Sequence, residues 1–401
     1  MRRIVLLIII ICSTLSLVAC ADLERQEIKT QFSFVFIYPD CPEDWKETSD
    51  GAEKCIEDFN NQNREITIDV QFSSADGAIE QSEILSRFLN IGIDGICIAM
   101  PSMQLIYPYD NDEQEKEATT KYNDYETAVF SLAELIKKGI DLDIPIITIG
   151  HDQYPFSTDP QSQDYWGYGT YSKYMEQPSR ICFIGSDNLS LGRKIAQKAM
   201  DVENGQAKIY GLGGWRHCLE EKHRRHGIEE VVSENVEKGA ELVDGNWVQD
   251  SHFYPFDVHL SVYDEYTGAL KWGMSCFCED YLKESIGLME NERIELNTYI
   301  GLWKGSNAIS NVFREKGWDD ADTNKEHFSI LCGESPEVII ALKEHFATCV
   351  FLEDRYEWGY QAVKTLIEIA CQRQIPESDH IYTPSYIVDL SEVYDYFPDG
   401  E

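Results

Sequence analysis

Arg180-Ile181-Cys182-Phe183-Ile184-Gly185-Ser186-Asp187-Asn188 leads into Leu189 to Met200, near the middle of a 401-residue chain. Ile181 to Ile184 is a short apolar run ended by Gly185, the pattern of a strand buried on both faces. Ser186, Asp187 and Asn188 are residue types that cap a helix, because their side-chain oxygens accept the free N–H groups of the first turn. Leu191, Ile195, Ala196 and Ala199 then recur at helical spacing. Strand, polar turn and helix follow one another here. The stretch marks where the chain leaves one α/β lobe and enters a second.

The same alternation runs outward from it. Before it, strands are expected at Phe34–Tyr38, Ile66–Phe72, Gly95–Met100 and Ile144–Ile149, with helix faces between them. After it, strands are expected at Ala207–Leu212, Leu242-Val243, Thr298–Leu302, Phe328–Leu331 and Thr348–Leu352. Helices are expected over Leu219–Ser233, Leu270–Met289, around Ile309, from Pro336 and around Ala362–Ala370. Strands alternating with helices imply parallel sheets with right-handed crossovers. Met103–Glu126, Gln153–Pro178 and Gln249–Thr267 read as insertions, the last irregular and aromatic.

The length suits two domains. The formal net charge of −37 argues against nucleic-acid binding, which needs a basic footprint. It also argues against docking on an anionic membrane through surface charge.

Residues 1–19 read as a lipoprotein signal peptide and 20–31 as a tether. Arg2 and Arg3 precede the apolar run Ile4–Ile11, which is too short to span a bilayer. Leu17-Val18-Ala19-Cys20 resembles the bacterial lipobox, and the resemblance implies cleavage before Cys20 and lipidation of its thiol. Removal of the leader makes the chain more acidic by the charges of Arg2 and Arg3. The chain is then anchored to the outer side of the cytoplasmic membrane or held in the periplasm. Of 12 cysteines, Cys97, Cys182 and Cys332 sit in apolar runs and read as core residues. Cys41 with Cys55 is the disulfide pairing to test.

In open parallel sheets the ligand crevice lies beyond the carboxyl ends of the strands. The loops there carry Asp44, Trp45, His151, Asp152, Trp303, Glu334 and Glu353. Aromatic plates with a few carboxylates suit a polyhydroxylated ligand, whose ring face packs on an aromatic and whose hydroxyls bond to carboxylates. His217, Cys218, His223 and His226 match no standard zinc spacing, and Arg216, Arg224 and Arg225 beside them oppose a divalent cation. Gly211, Gly213 and Gly214 lack the full dinucleotide fingerprint, and neither a nucleophile elbow nor a Walker loop is present. No catalytic residue, metal site or cofactor is read from the sequence.

Phe34–Tyr38 followed by Trp45 and Gly51-Ala52-Glu53 resembles the opening of the type I periplasmic binding proteins of the ribose-binding kind. Gly92-Ile93-Asp94-Gly95-Ile96, Ile144-Pro145-Ile146-Ile147 and Gly185-Ser186-Asp187-Asn188 continue the resemblance. So do Arg224 before Gly227, Gly301-Leu302-Trp303, and Tyr356-Glu357-Trp358-Gly359-Tyr360. It spans roughly residues 32–390. It implies two Rossmann-like lobes with parallel sheets, joined by three hinge crossovers near Ser186, Glu353 and Thr383. The first lobe would comprise 32–185 plus 354–382, and the second 186–353 plus 383–401.

The resemblance places Trp45 on a sugar-stacking aromatic and Arg224 on an arginine that bonds ligand oxygens. It places Glu353 where a hinge-side glutamine usually sits. Two aspartates that hold sugar hydroxyls in the family are Gly150 and Gly333 here. Asp152 and Glu334 stand next to those positions as substitutes.

The implied function is a lipid-anchored binding protein that traps a small sugar-like ligand, a monosaccharide or related polyol, for a membrane permease or sensor kinase. Two alternatives stay open. One is a glycosidase using paired carboxylates such as Glu334 and Glu353. The other is a structural lipoprotein without a ligand.

Overall fold

The computed structural model describes residues 29–39, 45–75, 77–101, 127–129, 131–152, 180–212, 219–238, 241–242, 260–263, 270–273, 282–283, 286–287, 296–302, 304–318 and 327–397. The first sheet is built from β1 (Gln31–Pro39), β2 (Thr67–Ala75), β3 (Gly95–Ile98), β4 (Ile146–Ile149) and β5 (Phe183–Ser186). Helices α1 (Lys46–Gln62) and α2 (Gly77–Ile91) separate its first three strands, and residues 131–141 are helical before β4.

After β5 come α3 (Asn188–Val202), β6 (Lys208–Leu212), α4 (Leu219–Asn235), β7 (Glu241–Leu242), β8 (Leu260–Tyr263), β9 (Leu270–Gly273) and β10 (Thr298–Gly301). They are followed by α5 (Lys304–Lys316), β11 (Phe328–Cys332), α6 (Pro336–Lys343), β12 (Cys349–Glu353), α7 (Arg355–Ala370), β13 (His380–Thr383), β14 (Ser385–Asp389) and α8 (Val393–Tyr396).

The sheets have matching orders, β13-β5-β4-β3-β1-β2 and β14-β12-β11-β10-β6-β7. The chain passes between them three times. β5 lies in the first sheet while α3, which follows it, packs on α4 of the second lobe. β12 lies in the second sheet while α7 packs on α1 of the first. β13 closes the first sheet, and after Pro384 β14 joins the second. The second sheet is not wholly parallel: β14 runs antiparallel to β12. A single residue between β13 and β14 leaves no room for the helical crossover a parallel return needs.

Each sheet is covered on both faces, as its period-two pattern requires. Phe34 and Phe36 of β1 pack with Trp358, Ala362 and Leu366 of α7. Val35 and Ile37 point the other way, onto Leu85 and Phe88 of α2 and Leu132 and Ile136. In the second lobe Ile195 and Ile228 meet Ile300 and Ile330, and Ile309, Val312 and Leu342 meet Tyr299 and Val350.

The helix caps follow the sequence closely. The Asp187 side chain accepts the Ser190 N–H at 3.0 Å and caps α3. Ser335 caps α6, with Pro336 at the first helical position, where its missing N–H costs nothing.

Both lobes also pack their crossover helix against the helix after their first strand through glycines. A Cβ on Gly359 of α7 would lie 1.8 Å from the Thr48 carbonyl oxygen, and one on Gly51 of α1 would lie 2.0 Å from that of Tyr356. In the second lobe a Cβ on Gly192 would lie 1.9 Å from the Arg224 carbonyl oxygen, and one on Gly227 2.3 Å from that of Leu189. Gly359→Ala is expected to force α1 and α7 apart and to cost about 1–3 kcal/mol, the usual cost of overpacking. Denaturant unfolding of the variant checks this.

Two sequence expectations are corrected. Leu270–Met289 is not one helix, because its start is strand β9, paired antiparallel with β8 inside the stretch expected to be irregular. Leu260-Ser261-Val262-Tyr263 and Leu270-Lys271-Trp272-Gly273 carry β-branched and aromatic residues that favour strand pairing. Cys55 is a buried free thiol, and burial pushes it up to about 12. Cys41 lies outside the described residues. Cys97, Cys182 and Cys332 are buried core thiols.

Candidate functional site

The carboxyl ends of the two sheets meet at the cleft between the lobes. On the first lobe, Trp45 immediately precedes α1 and stacks on Tyr38 at the end of β1, with ring centroids 4.9 Å apart and planes 7° from parallel. Trp45 also meets Trp358 at 6.3 Å and His151 edge-on at 5.9 Å. The indole is 6% exposed, so most of its surface is already committed to this aromatic group.

Gly150 follows β4 with φ +66°, and a Cβ there would stand 2.8 Å from Trp358 and 3.1 Å from Trp45. The left-handed backbone and the indoles together exclude a side chain at this position. Polar chemistry beside Gly150 must therefore come from its neighbours or from the other lobe. At Gly333 φ is +124°, and no atom lies within 4 Å of where a Cβ would stand.

The neighbours of Gly150 are tightly held. The Asp152 carboxylate takes a two-pronged ion pair from Arg180, Nε to Oδ1 at 2.7 Å and one terminal nitrogen to Oδ2 at 2.5 Å. It also accepts the Thr148 hydroxyl. Arg180 further donates to the Asp379 carbonyl at 3.1 Å. Asp152 thus spends its charge inside the first lobe.

Glu220 in the first turn of α4 reaches this loop from the second lobe. Its Oε1 accepts the Asp152 N–H at 2.8 Å, and its Oε2 lies 3.5 Å from His151 Nδ1. Burial works to raise Glu220, but the nearby His151 imidazole and the hydrogen bond from the Asp152 N–H outweigh it and hold the carboxyl at about 2.

On the hinge side of the second lobe, Arg224 is 1% exposed. Its Nε donates to Asn188 Oδ1 at 2.7 Å, and a terminal nitrogen donates to Glu353 Oε1 at 2.6 Å. Arg224 and Glu353, both expected at the ligand, are thus ion-paired with each other. Glu334 follows β11. Burial pushes it up to about 7, opposed by the Arg355 guanidinium and reinforced by the carboxylates of Glu47 and Glu353. Glu47 belongs to α1 of the first lobe, so one of the groups that raises Glu334 comes from the opposite lobe.

The structure gathers Trp45, His151, Asp152, Arg224, Glu334 and Glu353 at strand ends or on the helix facing them. Asp44, Trp303 and Cys20 lie outside the described residues. Glu220, Arg180, Glu47, Asn188 and Trp358 were not singled out as site residues by their sequence pattern. Glu220 sits in the first turn of the helix after β6, and that position beyond a strand end was the available clue. Among the described residues no cluster of His, Cys, Asp or Glu is arranged to hold a metal ion, and no helix is long and apolar enough to cross a membrane.

No protein-family model and no curated protein sequence matches the chain. Solved structures do. An ABC transporter solute-binding protein from Burkholderia graminis, in complex with D-arabinose, is 14% identical over 92% of this chain and 99% of its own, with a TM-score of 0.62. One from Bacillus halodurans with bound myo-inositol is 13% identical over 92% of this chain and 98% of its own, with a TM-score of 0.58. A chain from Bacteroides fragilis, described as a LacI transcriptional regulator, is 13% identical over 92% and 99%, with a TM-score of 0.57. The likeness is one of fold. The chain has the type I periplasmic-binding-protein fold, two α/β lobes joined by three crossovers. That fold serves more than one function, and the site has to carry the functional reading.

Proposed function

We propose that the chain is a solute-binding protein of the cell envelope. It closes its lobes on a small polyhydroxylated ligand, a monosaccharide or related polyol. The observation that carries this reading is the convergence of Trp45, His151, Arg224, Glu334 and Glu353 from both lobes at the ends of the strands. An indole edge with carboxylate, imidazole and guanidinium groups suits the mixed apolar and hydroxyl surface of a sugar. The sugars and inositol bound by structures of the same fold support it. Ligand favours the closed state by differential affinity, because only that state lets both lobes touch it.

In this reading the leader is removed, Cys20 carries lipid, and the closed form is presented to a membrane permease or a sensor kinase. The chain binds its ligand without turning it over. Asp44 and Trp303 are further candidate ligand contacts, and Asp152 shapes the β4 loop through Arg180.

A thermal-shift screen with monosaccharides, inositols, nucleosides and amino acids tests it. A ligand at a hundred times its Kd adds about 2.7 kcal/mol of stability. A shift with a sugar or inositol, absent in Trp45→Ala, is expected. No shift across the panel would overturn the reading.

A second reading, a glycosidase using Glu334 and Glu353, draws on one observation. Glu334 is held up at about 7 while Glu353 is ion-paired with Arg224. That is the division into acid and carboxylate which glycoside hydrolysis uses. Release of chromophore from aryl glycosides, lost in Glu334→Gln, would favour it.

A further inference from the structure

The lobes meet directly at Glu220. Glu220 belongs to the second lobe and is 3% exposed. Two groups that its carboxylate meets, the Asp152 N–H at 2.8 Å and His151 Nδ1 at 3.5 Å, belong to the first. We propose that Glu220 is an interlobe latch: its carboxylate docks on the loop after β4 and holds the cleft shut in the absence of ligand.

The two sides of this contact are built to receive it. On the first lobe, the loop is fixed by the Asp152–Arg180 ion pair, by the bond from Arg180 to the Asp379 carbonyl, and by the Met100 N–H bonded to the His151 carbonyl at 3.0 Å. A pre-organised donor loses little freedom when the carboxylate arrives. On the second lobe, Glu220 and Arg224 are four residues apart on α4 and therefore share a face. Arg224 fastens that face to Asn188 and to Glu353 beside the hinge. Glu220, one turn nearer the helix start, is left to reach across.

The contact is a charge-assisted hydrogen bond in a buried place, the kind with the largest net contribution. Burial also leaves water no access to replace it. Gly150 makes the docking possible. A side chain there is excluded by Trp45 and Trp358, so position 150 itself brings no carboxylate. The partner protein would therefore meet a chain that is largely shut before any ligand arrives. Ligand would add to the closed state rather than create it.

Hydrogen–deuterium exchange of the full chain in detergent, without ligand, tests the latch. It is read on peptides covering 146–152, 45–50 and 333–335. In Glu220→Ala the first peptide loses a bonded amide; peptide 45–50 opens α1 on the first lobe and peptide 333–335 follows β11 on the second, so faster exchange at both reads a parting of the lobes. All three are expected to exchange at least about tenfold faster than in the parent, the factor that one hydrogen bond to a charged group supplies. Peptides from β1 and β10 should be unchanged. If they too exchange faster, the variant has lost its fold, and the isosteric Glu220→Gln decides by the same three peptides. Faster exchange confined to 146–152 would make Glu220 a local loop support and overturn the latch. Unchanged exchange at all three would do so as well. The ligand screen does not enter this test, so the two ideas fail separately.

Discussion

Glu334→Gln is expected to stabilise the protein by up to about 3 kcal/mol at pH 8, and to flatten its stability between about pH 5 and pH 7. The parent carboxyl is raised from 4.5 to about 7, mainly by burial. Between those values the folded state keeps its proton while the unfolded state releases one. The unfolded state then binds fewer protons, so stability falls as pH rises through this window. Above pH 7 the full cost is present, and below pH 4.5 it is absent. Glutamine keeps the shape and removes the titration. At the usual sensitivity of about 2–4 °C per kcal/mol, the gain is visible as a raised Tm at pH 8, with no difference at pH 4. Parallel pH profiles for parent and variant would show that Glu334 is solvated and titrates as an ordinary carboxylate. Glu220 sets the other limb. Because it is held at about 2, its contribution is present above pH 4.5 and lost as pH falls toward 2.

Arg224→Met is expected to cost about 3–5 kcal/mol, the range for removing one partner of a buried ion pair. Arg224 and Glu353 are 1% and 10% exposed as side chains and 2.6 Å apart. The loss leaves Glu353 charged and unpaired at the start of the crossover into α7, and strips Asn188 Oδ1 of its donor. Most of the cost is the stranded charge rather than the value of the pair. Arg224→Met with Glu353→Gln should therefore recover much of it. A double-mutant cycle by urea unfolding reads this directly. Additive effects of the two substitutions would mean that the pair is not coupled in solution. The proposed site also predicts that ligand binding fails in both Arg224 variants.

The β5–α3 junction was legible because each of its signals is local. An apolar run, a glycine and a capping aspartate lie within a few residues, and Asp187 caps α3 as its type suggests. The crossovers at β12–α7 and β13–β14 were placed by the family resemblance near Glu353 and Thr383; with a single residue between β13 and β14, no alternation of strand and helix marks the last one. The β8–β9 hairpin was not legible, since a short apolar segment suits strand or helix until a partner strand is known.

The site was legible as a set of residue types at strand ends, but not as a set of partnerships. Arg224 and Glu353 are 129 positions apart, and Asp152 and Glu220 are 68 apart. Nothing local tells one that the arginine is taken by the glutamate, or that a helix residue of one lobe docks on a loop of the other. Trp45 shows the same limit. Its position marked it as an aromatic at the cleft, whereas its stacking on Tyr38 depends on how α1 enters from β1.

Isothermal titration of the chain with the sugars and inositols of the thermal-shift panel tests ligand trapping most directly. One-to-one binding is predicted, with affinity lost in Trp45→Ala and in Arg224→Met. Absence of heat with every member of the panel, or binding that survives both substitutions, would contradict a sugar-binding cleft between these lobes.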